Sequence, residues 1–377
     1  MEQRSKNIIN HFSKIEDPRL NNKNKLHKLS DILLLVLIGV ICGADSWVEI
    51  EAFGKARIDF LKGFLDLENG IPSHDTFGDV FSRLNPQAFQ ESFFSWIQSL
   101  VKISKGRMIA IDGKTLRGSR DTKKNAIHMV SAWCQANELV LGQYKVDEKS
   151  NEITAIPELL STLDITHAVV TIDTMGCQRA IATQIITQEG DYVFGLKGNQ
   201  GNLHKKVATC FAYAEGKNYN DIVSQHCKTI EKDHGRIETR EYHVLPLMYA
   251  PLFKLKWKGL QSLIKVISHR EVVGEKSYLE TRYYISSLKP EAERIAHAIR
   301  GHWSIENQLH WCLDVAFDED RCRIRKNNSA ENLAVIRHYA LNLLKKEKTA
   351  RVGIKIKRSM AGWSNEYLAK LLEGGQF

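Results

Sequence analysis

Residues 107–119, RMIAIDGKTLRGS, and residues 167–178, HAVVTIDTMGCQ, share one pattern. Each is a short apolar run that reaches an aspartate, Asp112 in the first run and Asp173 in the second. Such runs are typical of buried strands, and each acid stands where we expect the strand to leave the core. Because ligands of α/β sheets bind outside strand ends, both acids are candidate functional residues. The alternative for each is an aspartate that only caps the next turn.

Three further apolar runs and two helical segments surround this pair. AIHMVSAWCQ (126–135), ELVLGQYKVDE (138–148) and DYVFGLKGNQGN (191–202) are predicted strands, the last with a glycine-rich exit. AIPELLSTL (155–163) and QRAIATQIITQEG (178–190) are predicted helices. Three strands in series, followed by strands that alternate with helices, indicate a mixed α/β sheet.

Residues 1–100 have a different pattern and are predicted to form an all-helical domain. Residues 26–68 carry apolar residues at three- and four-residue spacing. Ser73 is a natural N-cap of the next helix, and Pro86 opens the one after it. These two short helices fit a helix-turn-helix, an arrangement that is also common in helical bundles that do not bind DNA.

The rest of the chain adds a β-rich insertion and more helices. Residues 222–288 contain strand-like runs, and Pro290 opens a long predicted helix. We therefore divide the chain into a helical domain of residues 1–100, an α/β domain of residues 101–345 that contains the insertion, and a basic tail of residues 346–377.

The chain has 377 residues and a formal net charge of +9, and this surplus is concentrated in one segment. Residues 321–358 hold twelve Lys and Arg against two acids. Such a segment is the expected footprint of a polyanion binder, although a solvated basic tail has the same composition. A hydrophobic content of 43% excludes global disorder.

Seven scattered cysteines without a C-x-x-C pair argue against a disulfide framework and against a cysteine zinc site, and they suit a reducing cytoplasm. The longest apolar run, residues 32–43, is shorter than the roughly 20 residues that span a bilayer. We therefore expect a cytoplasmic protein without a membrane partner.

A third acid lies in the long helix that follows Pro290. Steps of four residues put His302, Glu306, His310 and Asp314 on one polar stripe. The alternatives are a solvated helix face and a zinc site formed by the two histidines. These histidines are eight residues apart, however, whereas metal-binding helices usually place them four apart.

Two strand-end aspartates and a helical glutamate suit phosphodiester chemistry. Carboxylate oxygens are ligands of Mg²⁺ or Mn²⁺, and two such ions about 4 Å apart can activate the attacking oxygen and stabilise the leaving one. We therefore predict Asp112, Asp173 and Glu306 as the ligands of two ions. The candidate DNA contacts are the basic residues nearby: Lys114, Arg117, Arg179, Lys197, Arg321, Arg323, Arg325 and Lys326.

The whole set of motifs resembles a known family. IDGKTLRGS, TIDTMGCQRAIA, LKGNQGNL, DHGRIETREYHV and HWSIENQLHWCLDVAFDEDRCRIR are similar to segments of the H-repeat-associated proteins and related bacterial insertion-sequence transposases of the DDE class (transposase family 11). The resemblance runs from about residue 8 to residue 345. It implies a ribonuclease H-like core with a β insertion at 222–288, an N-terminal transposase-associated domain, and a catalytic triad of Asp112, Asp173 and Glu306.

One departure concerns the residues around the helical glutamate. The broader transposase group carries a Tyr, an Arg and a Lys at fixed offsets from it. At those offsets this chain has Ile299, His302 and Leu313. Only Trp303-x-Ile305-Glu306 is retained. The basic run 321–326 is the candidate replacement for the missing cations.

The activity that the resemblance implies is DNA transposition. Hydrolysis at an element end leaves a free 3′-hydroxyl, which then attacks a target phosphodiester in the same site. The implied partners are double-stranded DNA, at the ends and at the target, and a second copy of the chain on that DNA, in a bacterial cytoplasm. Two alternatives stay open: a metal-dependent nuclease of the same fold, and an inactive DNA-binding remnant. The presence of all three acids argues against the remnant.

Overall fold

A nine-stranded mixed sheet forms the centre of the computed structural model, which describes residues 8–20, 25–100, 106–122, 125–147, 151–233, 235–249, 256–272 and 277–373. The first five strands are β1 (Met108–Leu116), β2 (Ile127–Cys134), β3 (Leu139–Lys145), β4 (Val169–Ile172) and β5 (Asp191–Leu196). Their order in the sheet is β3-β2-β1-β4-β5. β1 pairs antiparallel with β2 and parallel with β4, and β4 pairs parallel with β5. The predicted mixed α/β fold is confirmed.

The β-rich insertion continues the same sheet. Its strands are β6 (Gln225–Asp233), β7 (Arg236–Pro246), β8 (Ser262–Val272) and β9 (Tyr278–Ser286). All four pair antiparallel, and β9 joins β5, with Val193 opposite Ser286. The insertion is therefore fixed to the strands that precede the third acid.

β1 is longer than its sequence suggests. The expected end of this strand at Asp112 is wrong, because pairing with β2 continues from Asp112 opposite Ser131 to Leu116 opposite Ile127. On the other side, the parallel partner β4 stops at Ile172, which lies opposite Ile111. Asp112 is thus the first residue of β1 without a partner on β4, which opens one side of the strand there.

After a helical stretch at residues 8–12, the helices before the sheet are α1 (Leu29–Ile41), α2 (Trp47–Ala56), α3 (Ile58–Leu61), α4 (His74–Arg83) and α5 (Pro86–Leu100). Residues 32–38 of α1 are almost completely buried, as expected for an apolar run that is a core helix. Ser73 caps α4 by accepting a hydrogen bond from the Thr76 backbone N–H, and Pro86 opens α5 as predicted. Among the described residues, no helix is both long and apolar enough to cross a bilayer.

The later helices are α6 (Glu152–Thr162), α7 (Arg179–Thr187), α8 (Gly201–Gly216), α9 (Ala292–His302), α10 (Trp311–Phe317), α11 (Ser329–Lys346), α12 (Ile354–Trp363) and α13 (Asn365–Leu372). α11 packs against α1, α5 and β3. One hydrophobic core therefore joins the N-terminal helices, the sheet and α11. The domain boundaries near residues 100 and 345 stay predictions.

The edge strand β3 is covered by one side chain of α11. Asn342 accepts a hydrogen bond from the Val140 backbone N–H and donates one to the Val140 carbonyl, both at 2.9 Å. A bulge in the β2–β3 pairing lies at the same level, between Ala132 and Trp133. The side-chain amide thus binds Val140 as a neighbouring strand would.

The predicted basic tail contains α12 and α13, and part of its charge is structural. Lys357 and Arg358 are buried. Lys357 donates to the Leu344 carbonyl at 3.0 Å, and Arg358 donates to the Val40 carbonyl at 2.9 Å. Arg337, within the same basic segment, is also buried. These three cations of the segment 321–358 therefore lie inside the protein and not on its surface.

Candidate active site

Three carboxylates line one cavity of about 340 Å³. Asp112 projects from β1 and Asp173 follows β4 directly, so the parallel pairing of these strands brings the two acids to neighbouring positions. Asp173 accepts a hydrogen bond from the Met175 backbone N–H at 2.8 Å, which holds the turn after β4. Glu306 reaches the same cavity from the helical segment after α9. The structure thus brings the three predicted acids together.

The segment that carries Glu306 is a π-helix, residues Glu306–His310, between α9 and α10. The Trp311 backbone N–H donates to the Glu306 carbonyl, five residues earlier. Such wide turns inside helices are frequent at functional sites. The His310 side chain is 5% exposed and lies with its Nδ1 3.0 Å from Glu306 Oε2 and 3.7 Å from Asp112 Oδ2. A buried histidine therefore bridges two of the three acids.

The surroundings shift the pKa values of these acids in opposite directions. Desolvation raises the pKa of Asp112 to about 6, and the charges of Asp173 and Glu152 add to this, whereas His310 opposes it. Desolvation also raises the pKa of Asp173. The hydrogen bond from His310 lowers the pKa of Glu306. Burial thus disfavours the ionised forms of Asp112 and Asp173, and a bound cation would offset that cost.

The donor atoms present fit a hard divalent cation. One ligand atom each from Asp112, Glu306 and His310 lies within 4.8 Å of the other two. Carboxylate oxygens, which Asp112 and Glu306 supply here, are preferred by Mg²⁺ and Mn²⁺. Asp173 lines the same cavity outside this close group. The donor chemistry therefore fits the predicted cofactor.

His302 does not join that group of ligand atoms. Its Nδ1 lies 3.0 Å from the Thr171 hydroxyl, and desolvation lowers its pKa to about 4. The predicted polar stripe is accordingly divided, since Asp314 pairs with Lys114. The alternative of a zinc site shared by His302 and His310 finds no support in these contacts.

Two of the predicted DNA contacts are partly buried and are hydrogen-bonded within the protein. Lys114 is largely buried and donates to Asp314 at 2.6 Å and to Asp320 at 3.2 Å. The Arg325 Nε donates to the Gly118 carbonyl at 2.7 Å. Both side chains therefore hold the segment after α10 against the end of β1. The other predicted contacts are exposed: Arg117, Arg179, Lys197, Arg321, Arg323 and Lys326. Lys197 also lines the cavity.

Sequence reasoning missed a fourth carboxylate near the site. Glu152 Oε1 lies 2.7 Å from His128 Nε2, and a Cβ on Gly113 would come within 2.1 Å of the same oxygen. Glycine after Asp112 is thus what lets Glu152 approach. In the sequence Glu152 has the ordinary pattern of an acid in the first turn of a helix, which gave no reason to single it out.

Gly118→Ala is expected to lower the free energy of unfolding by about 1–3 kcal/mol. The added Cβ would lie 2.1 Å from the Cys322 carbonyl oxygen, a backbone atom that no rotamer change can move. The midpoint of urea unfolding measures the effect. Gly198→Ala is the matched control, since a Cβ there has no neighbour within 4 Å. Equal midpoints for the two variants would contradict this contact.

Comparison with known proteins gives matches along almost the whole chain. The family described as "Transposase DDE domain" matches residues 103–343, and the family described as "DDE_Tnp_1-associated" matches residues 9–97. "H repeat-associated putative transposase YhhI" of Escherichia coli K12 is 45% identical over 98% of this chain and 98% of its own length. "Putative transposase YncI" of Escherichia coli O157:H7 is 45% identical over 97% of this chain and 94% of its own length. "Inactive transposase YbfQ" of Escherichia coli K12 is 50% identical but spans only 21% of this chain.

Proposed function

Since this chain belongs to the transposase DDE domain family, we propose that it cuts DNA at the ends of an insertion element and joins the cut ends to target DNA. One observation carries the proposal. Asp112, Asp173 and Glu306 are 194 residues apart from first to last in the chain, yet they line a single cavity. That geometry also favours an active enzyme over an inactive remnant.

The three acids are proposed as the catalytic residues. Asp112 and Asp173 would act from the sheet and Glu306 from the helix, so that the cofactor is held between two elements. When bound, a pair of Mg²⁺ or Mn²⁺ ions would supply activation of the attacking oxygen and stabilisation of the leaving one. Lys197 borders the cavity and is exposed, which suits contact with a phosphate of the cut strand.

DNA is proposed to reach this cavity over the exposed basic residues around it. These are Arg117, Arg179, Lys197, Arg321, Arg323 and Lys326. Lys114 and Arg325 are proposed to stabilise the site instead of binding DNA, because both are partly buried and hydrogen-bonded within the protein. Recognition of the element ends is assigned to the N-terminal helices. Two ends need two sites, so we expect a homodimer on DNA, acting on the chromosome in the cytoplasm.

A strand-transfer assay tests the proposal. The full-length protein is incubated with Mg²⁺ and a linear DNA that carries the natural flanks of its gene, and with a second DNA whose end is already cut. We expect nicks with 3′-hydroxyl ends from the first DNA and joined products from the second. Glu306→Gln keeps the size of the side chain and should lose both products.

The two alternatives give different results in the same assay. Cleaved DNA that is never joined would favour a metal-dependent nuclease of the same fold. Specific DNA binding without either product would favour the inactive remnant. Unchanged cleavage by Glu306→Gln would contradict the assignment of the acids.

A further inference from the structure

We infer that His310 is a positioning residue, which holds the Glu306 carboxylate in the orientation that faces Asp112. The inference rests on the proposed function, because it assumes that Glu306 and Asp112 bind the divalent ion together. Its basis is the pair of short distances from His310 Nδ1, 3.0 Å to Glu306 Oε2 and 3.7 Å to Asp112 Oδ2.

The direction of the hydrogen bond follows from the chemistry of the two groups. An ionised carboxylate has no hydrogen to give, so His310 Nδ1 carries the hydrogen and donates it to Glu306 Oε2. The Glu306 side chain is 58% exposed, and a long exposed side chain samples several rotamers unless a contact fixes it. The bond from His310 supplies that contact.

His310 is itself well fixed. Its side chain is 5% exposed, and the neighbouring Leu309 and Leu313 are both in the core. It is also the last residue of the π-helix that begins at Glu306, so the widened turn covers this pair of residues. A buried ring on a distorted but ordered turn is a suitable support for an exposed carboxylate.

The other ring nitrogen separates positioning from metal ligation. His310 Nε2 is buried and has no hydrogen-bond partner among the described residues. A histidine that binds a metal through one nitrogen almost always donates the other N–H to an acceptor. Binding of the ion through Nδ1 would move the hydrogen to Nε2 and bury a donor without an acceptor. His310 therefore acts through Glu306.

The test uses two substitutions of similar shape. His310→Asn keeps an N–H donor near the place of Nδ1, whereas His310→Leu has the same branching at Cγ as Asn, is somewhat larger and cannot donate. Mn²⁺ binding to the full-length protein is measured by electron paramagnetic resonance, which needs no DNA and no turnover. We expect His310→Leu to weaken Mn²⁺ binding about 10- to 100-fold, as is typical when the partner of a metal ligand is lost. His310→Asn should stay within about threefold of the wild type.

Mn²⁺ binding at a second histidine cluster must be prevented in this measurement. His226, Glu241 and His243 also lie with ligand atoms within 4.8 Å of one another, on β6 and β7. Lys228 lies 3.0 Å from Glu241 and disfavours a cation there, but bound Mn²⁺ would still confuse the titration. All variants therefore carry His226→Gln and His243→Gln in addition.

A double-mutant cycle identifies the route of the effect. In a Glu306→Gln background, His310→Leu should add little to the loss of Mn²⁺ affinity, because the carboxylate that it positions is already gone. A general packing role would instead give two independent losses. Melting temperatures of all variants verify that they are folded.

Three results would overturn the inference. Unchanged Mn²⁺ affinity in His310→Leu would remove its basis. A ¹⁴N coupling in the pulsed spectrum that disappears in His310→Leu would identify His310 as a direct ligand. Additive losses in the Glu306→Gln background would point to packing. If the unsubstituted site binds no Mn²⁺ and Asp112→Asn makes no difference, the proposed function fails as well, and the two failures are thereby distinguished.

Discussion

Asp112→Asn is expected to abolish Mg²⁺-dependent DNA cleavage and, at the same time, to make the protein more stable. The amide has the shape of the carboxylate but carries no charge, so several kcal/mol of transition-state stabilisation are lost and the rate falls by about 10³-fold or more. Gel analysis of cleavage products from DNA with the natural flanks measures the first effect.

The gain in stability follows from the pKa of Asp112. Desolvation raises this pKa to about 6 in the folded protein, whereas an unfolded chain has about 3.9. The folded state therefore binds the proton more tightly, and stability is lost as the pH rises through 6. Above that pH the ionised carboxylate costs roughly 2–3 kcal/mol, which the amide avoids. We expect a melting temperature about 2–5 °C higher at pH 7.5 in the presence of a chelator.

The pH dependence provides the check. By about pH 4.5 the difference between wild type and Asp112→Asn should lose more than half of its size, because folded Asp112 is then protonated. Asp75→Asn is the matched control, since the Asp75 side chain is 91% exposed and its loss should matter little at either pH. Retained cleavage, or an unaltered melting temperature at pH 7.5, would contradict the environment described for Asp112.

Arg337→Met is expected to destabilise the protein by about 3–5 kcal/mol. Arg337 Nη1 lies 3.4 Å from Glu319 Oε1, and the two side chains are 4% and 1% exposed. Methionine would fill most of the space but leave the Glu319 carboxylate buried with one cation fewer. Lys114 Nζ, at 3.8 Å, is more distant and is shared with Asp314 and Asp320. Urea unfolding measures the loss.

A second substitution separates charge from packing. Glu319→Gln in the Arg337→Met background removes the unpaired charge, so the double variant should recover most of the lost stability. A double variant as unstable as Arg337→Met alone would mean that the packing of Arg337, and not its charge, matters. Glu319 lies between α10 and the residues that contact Gly118. Arg337→Met should therefore also disturb this segment beside the site and reduce DNA cleavage.

Local patterns predicted the individual elements and acids, whereas distant contacts had to come from the structure. The apolar runs before Asp112 and Asp173 predicted two strands, and helical spacing singled out Glu306. The pairing of β5 with β9 joins residues about ninety positions apart. No local pattern carries such a pairing, so the insertion could be predicted as β-rich but not as part of the central sheet.

Of the patterns in the sequence, charge was the poorest guide, because it did not show which cations are exposed and which are paired within the fold. Lys114 and Arg325 have the same sequence context as exposed cations, and only the fold shows their partners Asp314 and Gly118. The π-helix at Glu306 also has no sequence signal, because its extra residue is absorbed within a continuous helical pattern. The polar stripe drawn with four-residue steps also included His302, whose ring contacts the Thr171 hydroxyl, a partner that only the fold brings near.

The contact of Asn342 with Val140 protects the chain from pairing with other molecules through the edge of its sheet. An uncovered edge strand can recruit a strand of another molecule and start an aggregate. Here both backbone groups of Val140 are already bonded to the amide of Asn342, and the bulge beside them interrupts the regular ladder. A chain that emerges from the ribosome closes this edge only when α11 arrives, about two hundred residues after β3. Until then β3 is uncovered on that side, and α11 acts as its protection.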